Sequence, residues 1–269
     1  MIPLRDRAIG VFDSGLGGLT VAAAIRKILP EESVIYLGDT ARLPYGNRSP
    51  ETVRAFAAQD LAFLLKFGVK TVIAACNTVS SEALDAMRSA AGAVPVSGVI
   101  LPGVREAIRS GARSVAVLGT RGTIRSGVYE RELRTLDPSL KIRSIACPLF
   151  VPLAEEGLLS GPAAERIAEL YLKELRKDPP ELIIPGCTHY PLLRETILSV
   201  LPPGVRFADC ASACARELKS FLEQKDLTAH PGSPGDLRLC VTDLTDNFRR
   251  QAQNFLGAEP GPMEKVSLD

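Results

Sequence analysis

The sequence predicts an α/β protein of two similar, doubly wound, mostly parallel domains, related by pseudo-twofold symmetry, with a cleft between them. Three observations predict it. Apolar runs of strand length alternate with helical patterns along the chain. Two strand–turn–helix sets of like composition recur about one domain length apart. The 269 residues, 46% of them hydrophobic, suffice for two cores of ordinary size.

The first strand is the apolar run 8–12. It ends in Asp13-Ser14-Gly15-Leu16-Gly17-Gly18, and a helix over 19–29 follows, stopped at Pro30. This turn is not a dinucleotide fingerprint, because G-x-G-x-x-G would need Gly where Thr20 stands. The Gly-Lys-Ser/Thr of a phosphate loop is missing too. A plain turn leaves Asp13 unexplained, since a carboxylate at the C-terminal end of a strand usually has a task. The second strand, 33–37, opens into a polar loop, 38–47. Ser49 can cap the next helix, Pro50 suits its first position, and Glu51 favours its dipole; it runs to Phe67 and ends at Gly68. Strand 70–75 stops at Cys76, and a helix is expected over 80–91. A short extended run, 94–96, and Gly98 mark a crossing point.

The second set begins with a helix over 102–110. Strand 114–118 ends in Gly119-Thr120-Arg121-Gly122-Thr123, like the opening turn, and a helix over 124–136 follows. Strand 140–147, a loop from Pro148 to Gly157 and an amphipathic helix 161–177 come next. Strand 181–185 leads to Gly186-Cys187-Thr188-His189, with a helix expected over 191–201. Then come strand 205–208, helix 212–224, strand 237–241 at a sheet edge, and helix 244–256. The tail from Gly257 lacks periodicity and is expected to be loose. The expected division is 1–97 for the first domain and 98–207 for the second. Residues 208–269 return to the first, being too short to stand alone.

The formal net charge of +1 indicates neither a polyanion nor a membrane surface as partner. Trp is absent and other aromatics are few, which argues against a base-stacking nucleic-acid surface. No apolar stretch approaches the ~18 residues of a membrane span. Arg5, Asp6 and Arg7 stand where a signal peptide needs its apolar core. A cytoplasmic protein is expected, with its six cysteines as thiols rather than disulfides.

Cys147, Cys214 and Cys240 read as small buried hydrophobes. Cys76 and Cys187 differ: each follows a strand, precedes a helical pattern, and is followed by small polar residues, Asn77-Thr78 and Thr188-His189. Amides at a helix start stabilise a thiolate. Cys187-x-His189 and Cys210-x-x-x-Cys214 do not have the spacing of common metal ligand pairs. A Cys–His hydrolase would leave one of two matching thiols without a role. Two opposed thiols suit racemisation, in which one base removes a proton from one face of a carbon and the other returns a proton to the opposite face. The turns Asp13-Ser14, Asn77-Thr78, Thr120 to Thr123 and Thr188-His189 offer amides and hydroxyls to carboxylates. Asp13 and His189 are placed to take a substrate ammonium or to tune the thiols.

With these residues on the page, the chain resembles the glutamate racemases, among the cofactor-independent amino-acid racemases. The resemblance rests on Gly10-Val11-Phe12-Asp13-Ser14-Gly15 with Gly17-Gly18-Leu19-Thr20, on Gly38-Asp39-Thr40-Ala41-Arg42 and on Pro44-Tyr45-Gly46. It continues through Ala75-Cys76-Asn77-Thr78, Gly119-Thr120-Arg121, Cys147-Pro148-Leu149-Phe150-Val151-Pro152-Leu153 and Gly186-Cys187-Thr188-His189-Tyr190-Pro191. It implies interconversion of L- and D-glutamate, supplying D-glutamate for peptidoglycan, without a cofactor or metal, in a homodimer. It further implies Cys76 and Cys187 as paired acid and base, Asp13 assisting the first, and His189 and Glu155 the second; Glu155 is taken over the adjoining Glu156. Asp13, Ser14, Tyr45, Gly46, Asn77, Thr78, Thr188 and His189 would hold substrate, with Thr120 and Thr123 beside them. An aspartate racemase with the same thiols is the alternative. Val79-Ser80-Ser81, Leu101 and Cys210 depart from the family's usual residues without touching these positions.

Overall fold

Short Val- and Ile-rich runs favour strands buried on both faces, and the computed structural model forms them where the sequence places them. It describes residues 2–232, 234–245 and 247–268. The strands of the first sheet are β1 (Ile9–Asp13), β2 (Val34–Gly38), β3 (Thr71–Ala74) and β4 (Val96–Gly98). Those of the second are β5 (Ser114–Gly119), β6 (Lys141–Ala146), β7 (Leu182–Gly186) and β8 (Arg206–Phe207). Two late strands, β9 (Leu237–Val241) and β10 (Met263–Lys265), join the first sheet.

The sheet orders are β10-β9-β2-β1-β3-β4 and β6-β5-β7-β8, and every pairing is parallel. Without β9 and β10, both sheets have one order: second strand, first, third, fourth. The resemblance between the two sets of turns is therefore topological as well as compositional. In such sheets the chain reverses its direction of winding between the first and third strands. The loops there splay apart and leave a crevice at the strands' C-terminal ends. That crevice lies beside Asp13 and Cys76 in one sheet and beside Thr120 and Cys187 in the other.

Helices cover both faces, so β1, β3 and β7 are buried along their whole length, while the edge strand β6 is not. Ser49 caps the helix Pro50–Leu65, its Oγ accepting from the Thr52 amide at 3.3 Å. The α/β reading and the parallel sheets are thus as expected from the sequence.

Several elements differ from expectation. The tail is not loose: β10 pairs with β9 in parallel, so β9 is not the edge. Three residues are too few to show a hydrophobic period, and what holds them is the open backbone edge of β9. An ion pair from Arg238 to Glu264 at 2.6 Å lies across the same edge. The helix expected over 80–91 begins earlier and is broken, as Asn77–Glu82 and Leu84–Ala90. That expected over 124–136 appears as Arg121–Arg125 and Val128–Leu136. After Cys187 comes a 3-10 turn, Tyr190–Leu193, before the helix Arg194–Ser199. The last helix is Phe248–Leu256; Asp246, within the expected 244–256, lies outside the described residues.

At the end of the first sheet away from the crevice, Lys70 and Glu32 form a buried ion pair. Lys70 Nζ also donates to the carbonyls of Arg5 (2.6 Å) and Leu227 (2.9 Å), and Glu32 accepts from the Ala229 amide at 2.9 Å. Lys70→Met would leave a buried carboxylate without its cation and two carbonyls without their donor. It is expected to cost about 3–5 kcal/mol in urea denaturation, with activity per folded molecule retained.

Candidate active site

Cys76 follows β3 and stands at the N-cap of Asn77–Glu82; Cys187 follows β7 and enters the 3-10 turn. Equivalent strands thus deliver the two thiols, each only 5–6% exposed, to one pocket. The walls are built differently. Cys76 Sγ lies 3.6 Å from Ser14 Oγ, and Asp13 stands behind it. Cys187 Sγ lies 3.7 Å from His189 Nδ1, whose Nε2 is 3.1 Å from Glu155 Oε1. Glu155, not Glu156, therefore meets His189.

Electrostatics follow from this packing. Burial pushes the Cys76 thiol up to about 12; the Asp13 carboxylate adds to this, and the Val79 amide and Ser14 hydroxyl offset it in part. Burial pulls the His189 imidazole down, but its bonds to Cys187 and Glu155 outweigh that and hold it at about 10. Asp13 is raised chiefly by burial, against His189, the Gly15 and Gly18 amides and Thr188.

Most of the residues singled out in the sequence meet here. Ser14, Tyr45, Gly46, Asn77, Thr78, Thr120, Glu155, Thr188 and His189 line the pocket with the two cysteines. Asp13 and Thr123 do not line it. Asp13 is wholly buried, accepting from the Gly15 amide at 3.0 Å and from Thr188 Oγ1 at 3.3 Å. It thereby ties the turn after β1 to the turn after β7. Thr123 sits behind Thr120 (Oγ1 to Oγ1 3.1 Å), which meets Thr78 at 3.0 Å.

Sequence reasoning missed the residues that support this wall. Tyr129 donates to Asn77 Oδ1 at 2.7 Å from a helix of the second sheet. The Tyr45 hydroxyl sits between Asp39 and Asp60, and Arg42 and Thr242 complete that network. Gly17 gives room: a Cβ there would lie 2.2 Å from Thr188 Oγ1 and 2.5 Å from His189 Nδ1. Asp39, Arg42 and Tyr45 lay in the motifs that carry the resemblance and Gly17 in a glycine-rich turn, whereas Asp60, Tyr129 and Thr242 carried no sequence signal. The pocket is small, with a volume of about 20 Å³, room for about one water. A larger cleft of about 540 Å³, beside Arg88, Arg105 and Arg131, contains neither thiol of the pair, so size does not mark the site. Among the described residues, no group of three or more His, Cys, Asp or Glu side chains is arranged to hold a metal ion. No described helix is long and apolar enough to cross a membrane.

Two parallel α/β sheets, each with a thiol at the end of its equivalent strand, bring two acid–base groups to one pocket. Residues 19–218 match the model of the Asp/Glu/hydantoin racemase family, and the chain belongs to that family. Along its full length it is similar to the glutamate racemases. It is 42% identical to that of Geobacter metallireducens over 266 residues, 98% of this chain and 97% of the relative. Two solved structures are similar throughout. Glutamate racemase of Francisella tularensis, in complex with D-glutamate, has a TM-score of 0.92 at 38% identity, covering 98% of this chain and 99% of its own. That of Thermus thermophilus, in complex with β-chloro-D-alanine, has 0.87 at 44%, covering 98% of each chain.

Proposed function

We propose that the protein interconverts L- and D-glutamate by proton transfer at Cα between Cys76 and Cys187. The observation that carries this reading is the pair of thiols at one pocket, each at the end of the equivalent strand of a repeated topology. The thiolate on one side takes the α-proton, and the thiol on the other gives its proton to the opposite face. The carbon inverts, no proton is gained or lost, and the sulfurs exchange roles. Held up to about 12, Cys76 carries its proton at neutral pH. Held at about 10, His189 keeps its proton there and sets a cation beside Cys187, balanced by Glu155.

Asp13 acts from behind, by fixing the turns of Gly15 and Thr188. Ser14, Tyr45, Gly46, Asn77, Thr78, Thr120 and Thr188 offer amides and hydroxyls to the substrate's carboxylates, with Thr123 holding Thr120. The pocket must widen to admit an amino acid, so binding includes a parting of its walls. No cofactor enters this scheme. The same reading has the enzyme act in the cytoplasm as a homodimer, supplying D-glutamate for peptidoglycan.

Circular dichroism of L-glutamate, with purified protein, a chelator and no added cofactor, tests the proposal. The ellipticity is expected to decay to zero, and to decay far more slowly with L-aspartate. Constant ellipticity with bound glutamate would mean a binder that does no chemistry. Faster decay with L-aspartate would reassign the substrate.

A further inference from the structure

The pair formed by Glu155 and His189 has supports that come from outside its own half of the molecule. The helix Phe248–Leu256 follows β9, which belongs to the first sheet. Its apolar face packs into the first sheet's core, where Phe248, Ala252 and Phe255 lie with residues of β1, β2 and the helix Leu19–Ile28. Two of its side chains reach the second half at the site. The Phe255 ring meets His189 edge-on, with centroids 5.1 Å apart and planes at 77°. Gln251 Nε2 donates to the Glu155 carbonyl at 2.8 Å, at the end of the helix Phe150–Glu155.

We infer that Phe255 and Gln251 are positioning residues for the acid–base chemistry at Cys187: the ring holds the imidazole toward Sγ, and the amide holds Glu155 against Nε2. The geometry gives Glu155 and His189 one outside support each, Gln251 and Phe255, and leaves Cys187 to be met by His189. Phe255 is 3% exposed, so the imidazole edge facing it is closed to water. An imidazole without that ring is free to take other rotamers, and each rotation away lengthens the contact to Cys187, to Glu155 or to both. Gln251 anchors the last residue of a six-residue helix, an element too short to hold its own end. Neither residue touches the pocket, so both act through other side chains.

The inference rests on the racemase reading for its kinetic consequence, but not for its structural one. The titratable groups facing His189 are Cys187 on its own turn, Glu155 on the helix Phe150–Glu155, and Asp13 at the end of β1. From the C-terminal helix it meets the uncharged Phe255 ring. Cys187 and Glu155 hold the imidazole up, so loosening either contact lets its midpoint fall from about 10 toward the ordinary value. Phe255→Leu is the informative change at that position, because Leu keeps water out while releasing the ring's orientation. The chain has only two histidines, so the imidazole nitrogens give two resolvable sets of signals by 15N NMR, with exposed His230 as internal control.

The experiment is a pH titration of His189 by 15N NMR in the wild-type protein, Phe255→Leu and Gln251→Ala, with kcat and KM for both glutamate enantiomers. In both variants the His189 midpoint is expected to fall by about one pH unit and kcat by ~10-fold, with KM within about twofold and His230 unchanged. Gln251→Ala removes one partly buried amide, so it keeps the test open if Phe255→Leu folds poorly. A wild-type His189 midpoint in both variants would overturn the inference, including where thermal stability falls. A wild-type protein that does not racemise glutamate would sink the functional reading instead, and leave the titration interpretable.

Discussion

Cys76→Ala and Cys187→Ala are each expected to lower the rate of glutamate racemisation by at least ~10³-fold, in both directions. Each thiol is the base in one direction and the acid in the other, so losing either stops both. This is a stronger expectation than for a single nucleophile, where the partner thiol would be dispensable. Both residues are small and end a buried strand without bridging the sheets, so the variants should fold. Circular dichroism with each enantiomer checks the rates, and urea denaturation checks the fold. Full activity in either variant would refute the paired mechanism.

The two walls differ, and thermodynamics limits how that difference appears. Cys76 faces Ser14 with Asp13 behind it; Cys187 faces His189 backed by Glu155. The enantiomers of glutamate have equal free energy in water, so kcat/KM must be the same from either side. Asymmetry can enter only as unequal kcat with a matching inequality in KM.

Gly17→Ala is the second large expected effect. The added Cβ would fall 2.2 Å from Thr188 Oγ1, 2.5 Å from His189 Nδ1 and 2.7 Å from His189 Cε1. Thr188 is held by Asp13, and His189 by Glu155 and Phe255, so neither can give way without breaking those contacts. A displacement of about 1 Å at this wall is expected to lower kcat by ~100-fold. Its cost in stability is smaller, about 1–3 kcal/mol as for other overpacked sites. Steady-state kinetics beside urea denaturation separates the two. A wild-type kcat would show that the wall containing Cys187 does not depend on this close approach.

Much of this site could be read from the sequence, because its residues cluster at the ends of strands. Asp13, Cys76, Thr120 and Cys187 each follow an apolar run, and parallel sheets bring such ends to one side. The α/β class was legible for the same reason. The strand order was not, since parallel pairing is a long-range choice that no local pattern encodes. The strand β10 could not be read because its pairing lies in backbone groups, and its three residues show no alternation. The helix break before Val128 falls at Gly127, whose φ of 64° is left-handed, and the 3-10 turn after Cys187 contains Pro191, so both had a local signal that the helical periodicity overrode. Glu155 needed the family resemblance to be chosen over Glu156, and its bond to His189 follows only from the fold. Phe255 and Gln251 sit in an amphipathic helix where an aromatic and an amide look ordinary. Nothing local says that their helix crosses to the other sheet's turns.

The most direct test of the central claim is the fate of the α-hydrogen in deuterated water during the first few per cent of conversion. With two bases, D-glutamate formed from unlabelled L-glutamate should carry deuterium at Cα, while the remaining L-glutamate stays unlabelled; starting from D-glutamate, the mirror result should hold. Proton NMR of the separated enantiomers reads both. Product that keeps the original hydrogen, passed from one face to the other by a single group, would contradict the account.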